Sequence, residues 1–157
     1  MKDTSTLTGN GIRTGAQYIS GLQDDREIWT MGKRIKDVTV EPGMSRGVSS
    51  LAGFLDKQHD KKYQDKVTYV DEDGIRCPLS FKTPKSKQDI LDRGKAYYEW
   101  ATWSHGMFGR TPDYKNASLM SFSAARSFLD KGTVGSADFS TNMLNFYNYA
   151  RTNDQVL

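Results

Sequence analysis

The chain is poor in the residues that build metal and redox centres. It has one cysteine, Cys77, and two histidines, His59 and His105, in 157 residues. A lone thiol excludes an intramolecular disulfide and any multi-cysteine metal or iron–sulfur site, and it agrees with a reducing compartment. No apolar run approaches the roughly 18 residues that a membrane-spanning helix needs, and the polar N-terminus carries no signal-peptide core. The net charge of +3 comes from interspersed residues, with no basic cluster for nucleic acid. No internal repeat, low-complexity run or domain linker interrupts the sequence. These absences leave a single soluble, cytoplasmic domain, long enough to bury a core without covalent help.

The chain that remains is mainly helical with small β-hairpins. Residues 1–12 are rich in Thr, Gly and Asn and are expected to form a flexible N-terminus, with the domain itself spanning 13–157. Thr14 and Gln17 form a capping-box pair ahead of Tyr18, Ile19 and Leu22. β-forming residues around Met31-Gly32 predict a strand–turn–strand between Glu27 and Val38. Pro42 is expected to open a longer helix with Val48, Leu51, Ala52 and Leu55 as its buried stripe and His59 at its end. Lys66 to Phe81 is the clearest β signal. Asp73-Gly74 is the pair that a type I′ hairpin turn favours, and Pro78 argues for an edge position.

Ser86 then caps a helix whose apolar stripe reads Ile90, Leu91, Tyr97, Tyr98 and Ala101, with Gly94 suggesting a close helix neighbour. Lys82, Lys85, Lys87 and Lys95 read as a solvated face, a dock for a partner protein or a phosphate group being the alternative. Ala117, Met120, Ala124 and Phe128 define the next helix. After the break at Gly132 to Gly135, Ser136 is expected to cap a last helix facing inward through Phe139, Met143, Phe146, Tyr147 and Ala150. A helical layer this aromatic suggests a surface that packs against something more.

The stretch Trp100–Tyr114, WATWSHGMFGRTPDY, organises the rest. Thr111 can cap a helix whose first residue is Pro112, and Asp113 in the first turn suits the helix dipole. Arg110 falls just before the cap and Tyr114 one turn in. A guanidinium and a phenol can thus point at one small oxygen-bearing ligand, with Gly106 and Gly109 letting the backbone bend. On the residues alone, such a pair more often forms a salt bridge and fills a core gap. Met107 and Phe108 read as packing under the bend. His105 lacks the partner that acid–base work requires, and a structural or solvent-facing role is expected for it.

Five stretches, in order and at matching spacing, resemble the N-terminal domain of the 4-hydroxyphenylacetate 3-monooxygenase oxygenase family. They are RTGAQYISGLQDDREIW (Arg13–Trp29), GKRIKDVTVEP (Gly32–Pro42), LAGFLDKQHD (Leu51–Asp60), DKVTYVDEDG (Asp65–Gly74) and GMFGRTPDYKNA (Gly106–Ala117). The resemblance implies a two-component aromatic hydroxylase that takes reduced FAD from a separate flavin reductase and uses O₂ to hydroxylate a phenol ortho to its hydroxyl. It implies that Arg110 and Tyr114 hydrogen-bond the phenolic oxygen. Full members continue through a middle β-barrel and a C-terminal helical bundle of acyl-CoA-dehydrogenase-like architecture. Most of the flavin site and a third, histidine contact to the phenol lie beyond NYARTNDQVL. Full-length relatives are expected to be homotetramers. The chain on its own is therefore expected to hold no complete catalytic set and no metal, and to be inactive without the remaining domains. A non-catalytic interaction domain or relic that keeps the fold is the alternative. The family's iron–sulfur dehydratase branch needs several thiolates and does not suit a chain with Cys77 alone.

Overall fold

The computed structural model describes residues 9–106, 113–132 and 138–157. Among these residues are six α-helices, two 3-10 stretches and two separate two-stranded antiparallel sheets. Helix α1 (Gly15–Ser20) opens with the expected capping box, Thr14 and Gln17 each bonding the other's backbone. Strands β1 (Ile28–Thr30) and β2 (Lys33–Ile35) follow, joined by two residues. Met31 and Gly32 have φ of 48° and 76°. Two successive left-handed residues between paired strands are the signature of a type I′ turn.

Helix α2 (Ser45–Lys57) begins after a turn at 42–44 rather than at Pro42 itself. Ala52 and Leu55 are buried as expected, Val48 and Leu51 are partly covered, and Phe54 adds a buried ring outside the predicted stripe. His59 lies exposed beyond the helix end. A short helix α3 (Gln64–Val67) occupies the start of the predicted β region and leads into β3 (Thr68–Val70), paired with β4 (Arg76–Pro78). The connection is not the expected type I′ turn. Asp71 N donates to Ile75 O, and only Gly74 of the pair Asp73-Gly74 has positive φ, at 80°. This is the three-residue loop with a left-handed glycine. It wins because the Asp71 side chain accepts the N–H groups of Asp73 and Ile75 at 3.0 and 2.8 Å and organises the loop from its first corner.

A 3-10 turn at Leu79–Phe81 leads to α4 (Lys87–Trp103), capped by Ser86 as predicted. The predicted stripe is the wrong face. Ile90, Leu91, Tyr98 and Ala101 are exposed and Tyr97 is half-covered, and a Cβ on Gly94 would meet no atom within 4 Å, so no described helix packs closely there. Ala96 and Trp100 face inward instead, with Trp103 partly covered. The two indoles bring large apolar surfaces to the core, and Ala96 allows the close approach.

The end of α4 is a Schellman motif. Gly106 N donates to Ala101 O at 2.9 Å and His105 N to Thr102 O at 3.4 Å. His105 sits at the left-handed position usually given to glycine, with φ 51°. Its imidazole is exposed, so its structural part is played by the backbone.

Helix α5 (Asp113–Ala124) buries Asn116, Leu119, Met120 and Ser123. Of the predicted face, Met120 is buried, Ala117 is half-covered, and Ala124 and Phe128 are exposed. The pattern misled because two of the inward residues are polar. Asn116 Nδ2 donates to Ser80 Oγ at 3.0 Å. After a 3-10 stretch (Arg126–Gly132), α6 (Phe139–Thr152) is capped by Asp138, whose side chain accepts from Thr141 N at 2.8 Å. Ser136, the expected cap, lies outside the described residues. Tyr147 and Ala150 are buried in α6 and Met143 is partly so, while Phe139 and Phe146 remain exposed.

Three clusters of buried side chains hold these elements together. Phe54, Val67, Leu79, Ala96 and Trp100 pack α2, α3 and α4. Tyr18, Ala52 and Leu55 seat α1 on α2, where a Cβ on Gly15 would lie 2.5 Å from Ala52 O. Phe81, Leu119, Met120, Tyr147 and Ala150 join α5 to α6, and the Tyr147 hydroxyl donates to Phe81 O at 2.6 Å.

The two ends of the described chain meet. Gly9 N donates to Thr152 Oγ1 and Gly11 N to Thr152 O. Asp154, buried and left-handed at φ 45°, takes Arg13 N at 3.0 Å and Gln58 Nε2 at 2.7 Å on one carboxylate oxygen. Its carbonyl takes the Arg13 guanidinium. Residues 9–12, the described part of the expected flexible segment, are thus tied to the C-terminal segment.

Two outcomes follow. Replacing His105 by glycine removes a left-handed side chain, and the variant is expected to gain roughly 0.5–1 kcal/mol in urea denaturation. Burial raises the Asp154 carboxyl above its ordinary 3.8. A raised folded-state pKa contributes stability that is full below the unfolded value and lost as pH climbs through the folded one. Urea midpoints across a pH series are therefore expected to show Asp154→Asn improving relative to wild type as pH rises from about 3.8 towards neutrality.

Candidate functional site

The Schellman turn at Ser104–Gly106 and the first turn of α5 flank the residues singled out in the sequence. Arg110, with Met107, Phe108, Gly109, Thr111 and Pro112, lies outside the described residues. Tyr114 is described. It sits in the first turn of α5 with 59% of its surface exposed, while Asn116 two residues on is buried. The register of α5 is fixed by Leu119 and Met120 in the core and by the Asn116–Ser80 hydrogen bond. That register turns the Tyr114 phenol outward, where a ligand or another polypeptide can reach it. His105, on the far side of the bend, is also exposed.

A second polar cluster has no counterpart in the sequence reading. Arg151 on α6 pairs with Asp71 at the corner of the β3–β4 loop, and both are largely buried. The Arg151 guanidinium also approaches Tyr69 Oη at 3.4 Å and Cys77 Sγ at 3.7 Å. Burial pushes the Cys77 thiol up to about 12, which makes it an inert packing group, and pushes the Tyr69 phenol up as well. Asp71 divides its oxygens, one for the loop N–H groups and one for Arg151. Separated by 80 residues, the pair leaves no local signal.

This cluster borders an open hollow of about 460 Å³ that also takes in Glu72, Asp73, Lys82, Lys85 and Asp89. Lys82 Nζ lies 2.5 Å from Asp89, whose carboxyl it holds well below the usual range, with help from Ser86. Of the predicted lysine face, Lys85 pairs with Glu72 and Lys95 with Asp92, both at the surface. A second open hollow of about 580 Å³ runs along Leu91, Gly94 and Tyr98 of α4. A small enclosed cavity of about 10 Å³ lies between Gln58, Trp100, Asn116 and Asp154. None of these three fits a flavin. The first has its three cations already paired with carboxylates and a fourth carboxylate left over, a poor setting for a diphosphate, the second is an open helix flank, and the third is water-sized. Among the described residues no group of three or more His, Cys, Asp or Glu could hold a metal, and no helix is long and apolar enough to cross a membrane.

Residues 14–157 match the family model described as 4-hydroxyphenylacetate 3-hydroxylase N terminal. The 4-hydroxyphenylacetate 3-monooxygenase oxygenase component of Thermus thermophilus is 38% identical over 143 residues, covering 90% of this chain and 28% of the relative. The Klebsiella oxytoca oxygenase component is 31% identical, covering 91% of this chain and 28% of the relative. A crystal structure of an oxygenase component complexed with FAD and 4-hydroxyphenylacetate superposes with a TM-score of 0.82 at 38% identity, over 90% of this chain and 28% of that one. An archaeal 4-hydroxybutyryl-CoA dehydratase from N. maritimus superposes at 0.73 with 16% identity over 91% of this chain and 28% of that one, a likeness of fold alone. The chain thus spans a little over a quarter of the length of these relatives. On the match to the family model over residues 14–157, it belongs to the 4-hydroxyphenylacetate 3-hydroxylase N-terminal family.

Proposed function

We propose that this chain is the substrate-side N-terminal part of a reduced-FAD-dependent monooxygenase that hydroxylates phenols such as 4-hydroxyphenylacetate ortho to the hydroxyl. In this reading Arg110 and Tyr114 hold the phenolic oxygen. The observation that carries it is the family match over residues 14–157, within which GRTPDY stands intact. The outward-facing Tyr114 at the start of α5 supports it, since a phenol sealed in the core could not serve a ligand.

The chemistry asked of the two side chains is electrostatic. A guanidinium and a phenolic O–H donating to the substrate oxygen favour its phenolate form, lowering the substrate's pKa. Negative charge held at that oxygen pushes electron density into the ortho position, which makes the ring carbon the nucleophile. The same donors stay with the oxygen as charge redistributes, so they act on the transition state. Reduced FAD, when bound, supplies the activation of dioxygen. The described residues do not themselves fit the flavin, and its site belongs to the remaining domains of the oxygenase, with a separate reductase as the source of reduced cofactor. A chain with part of the phenol grip and little of the flavin site is inactive alone.

Reconstitution tests both parts. The chain is mixed with reduced FAD, O₂ and 4-hydroxyphenylacetate, with and without the portion of the Thermus thermophilus oxygenase component beyond the matched region. Catechol product is expected only in the mixture, and product from the chain alone would refute the dependence. In the mixture, Arg110→Ala is expected to lower kcat/KM by about 10²–10³, the scale of one lost oxyanion donor. Tyr114→Phe is expected to lower it by about tenfold or more, as for one hydrogen bond to a charged group. Unchanged turnover in Arg110→Ala removes the assigned role.

A further inference from the structure

Three oxidisable rings form an unbroken line from the core to the surface. Trp100, 9% exposed, packs in the cluster of Phe54 and Ala96. Its ring centroid lies 4.9 Å from that of Trp103, and Trp103 lies 4.7 Å from Tyr63, both edge-to-face. At these spacings the ring edges are in van der Waals contact, close enough for direct electronic coupling. Phe54 touches both indoles, at 5.5 and 6.2 Å, but a benzene ring is far harder to oxidise and serves as padding. At the outer end, Lys57 Nζ lies 4.5 Å from the Trp103 ring centroid and 5.1 Å from that of Tyr63, with Lys62 and Lys66 at 5.0 and 5.7 Å from Tyr63.

We infer that Trp100, Trp103 and Tyr63 form a relay that carries an oxidising equivalent out of the core and releases it at Tyr63. An oxygen- or nitrogen-centred radical takes one electron from the Trp100 indole and departs as its anion. Trp103 returns an electron to Trp100, and Tyr63 returns one to Trp103. Tyr63 gives its phenolic proton to water as it is oxidised, leaving a neutral phenoxyl radical. A thiol or ascorbate in solution then restores the phenol by donating a hydrogen atom.

Proton loss at Tyr63 sets the direction. An ammonium over Trp103 disfavours a positive charge on that ring, which makes it a transit point and no resting place for the hole. At Tyr63 the Lys62 ammonium, with Lys57 further off, holds the phenol below its ordinary pKa, which eases the loss of its proton. At the inner end Trp100 lines the small cavity together with Gln58, Asn116 and Asp154.

Pulse radiolysis with the azidyl radical, which oxidises tryptophan in preference to tyrosine at neutral pH, tests the relay on the chain by itself. Trp29 is 61% exposed and would intercept the radical, so the background is Trp29→Phe. The indolyl absorption is expected to decay as phenoxyl absorption grows, at a first-order rate independent of protein concentration. Adding Tyr63→Phe is expected to abolish that growth and prolong the indolyl signal. Adding Trp103→Phe breaks the line and is expected to abolish the growth as well, with near-UV circular dichroism checking that the fold persists. Phenoxyl growth that survives Tyr63→Phe, or a rate that scales with protein concentration, overturns the relay. The measurement uses neither flavin nor phenolic substrate, so its outcome is separate from that of the hydroxylase reading.

Discussion

A buried aspartate with two distant partners, Arg13 and Gln58, holds the architecture together. Asp154 accepts from the backbone of Arg13, before the first helix, and from the side chain of Gln58, just past α2. Its own carbonyl takes the Arg13 guanidinium. The sequence separations are 141 and 96 residues, so these bonds close very long loops. Loop closure of that length costs chain entropy that local helix formation cannot recover. The left-handed backbone at Asp154 is part of the arrangement, because it lets the carboxylate and the carbonyl serve partners at once.

The same logic of sharing explains how Tyr114 reaches the surface. Helix α5 has no strong apolar stripe, and its register comes from two apolar residues, Leu119 and Met120, aided by a buried amide. Asn116 would be costly in that position without the Ser80 hydroxyl opposite it. With the amide satisfied, the inward face is fixed and the phenol two residues earlier points away. The exposed phenol is thus positioned by a polar contact on the opposite side of its own helix.

Much of this was legible in the sequence where the physics is local. Thr14 with Gln17 and Ser86 mark helix starts because a side-chain oxygen meets a backbone N–H within three residues. The five family-like stretches fixed the architecture. The hairpins illustrate the limit. Met31-Gly32, a poor type I′ pair by composition, adopts that turn, whereas Asp73-Gly74 yields to the side chain of Asp71. The α4 face was misread because both sides of that helix are apolar, and only the space available in the core selects Trp100 over Ile90, Leu91 and Tyr98. The Arg151–Asp71 pair joins two elements that only the tertiary fold brings together.

The meeting of residues 9–13 with 152–154 has a practical consequence. Both termini of the described chain share one patch of hydrogen bonds, so they fray together or not at all. Trimming by a protease at either end would loosen the other. A short peptide joining the two would relocate the chain's ends without stretching the fold, and the exposed turn at Met31-Gly32 is the natural place to reopen it.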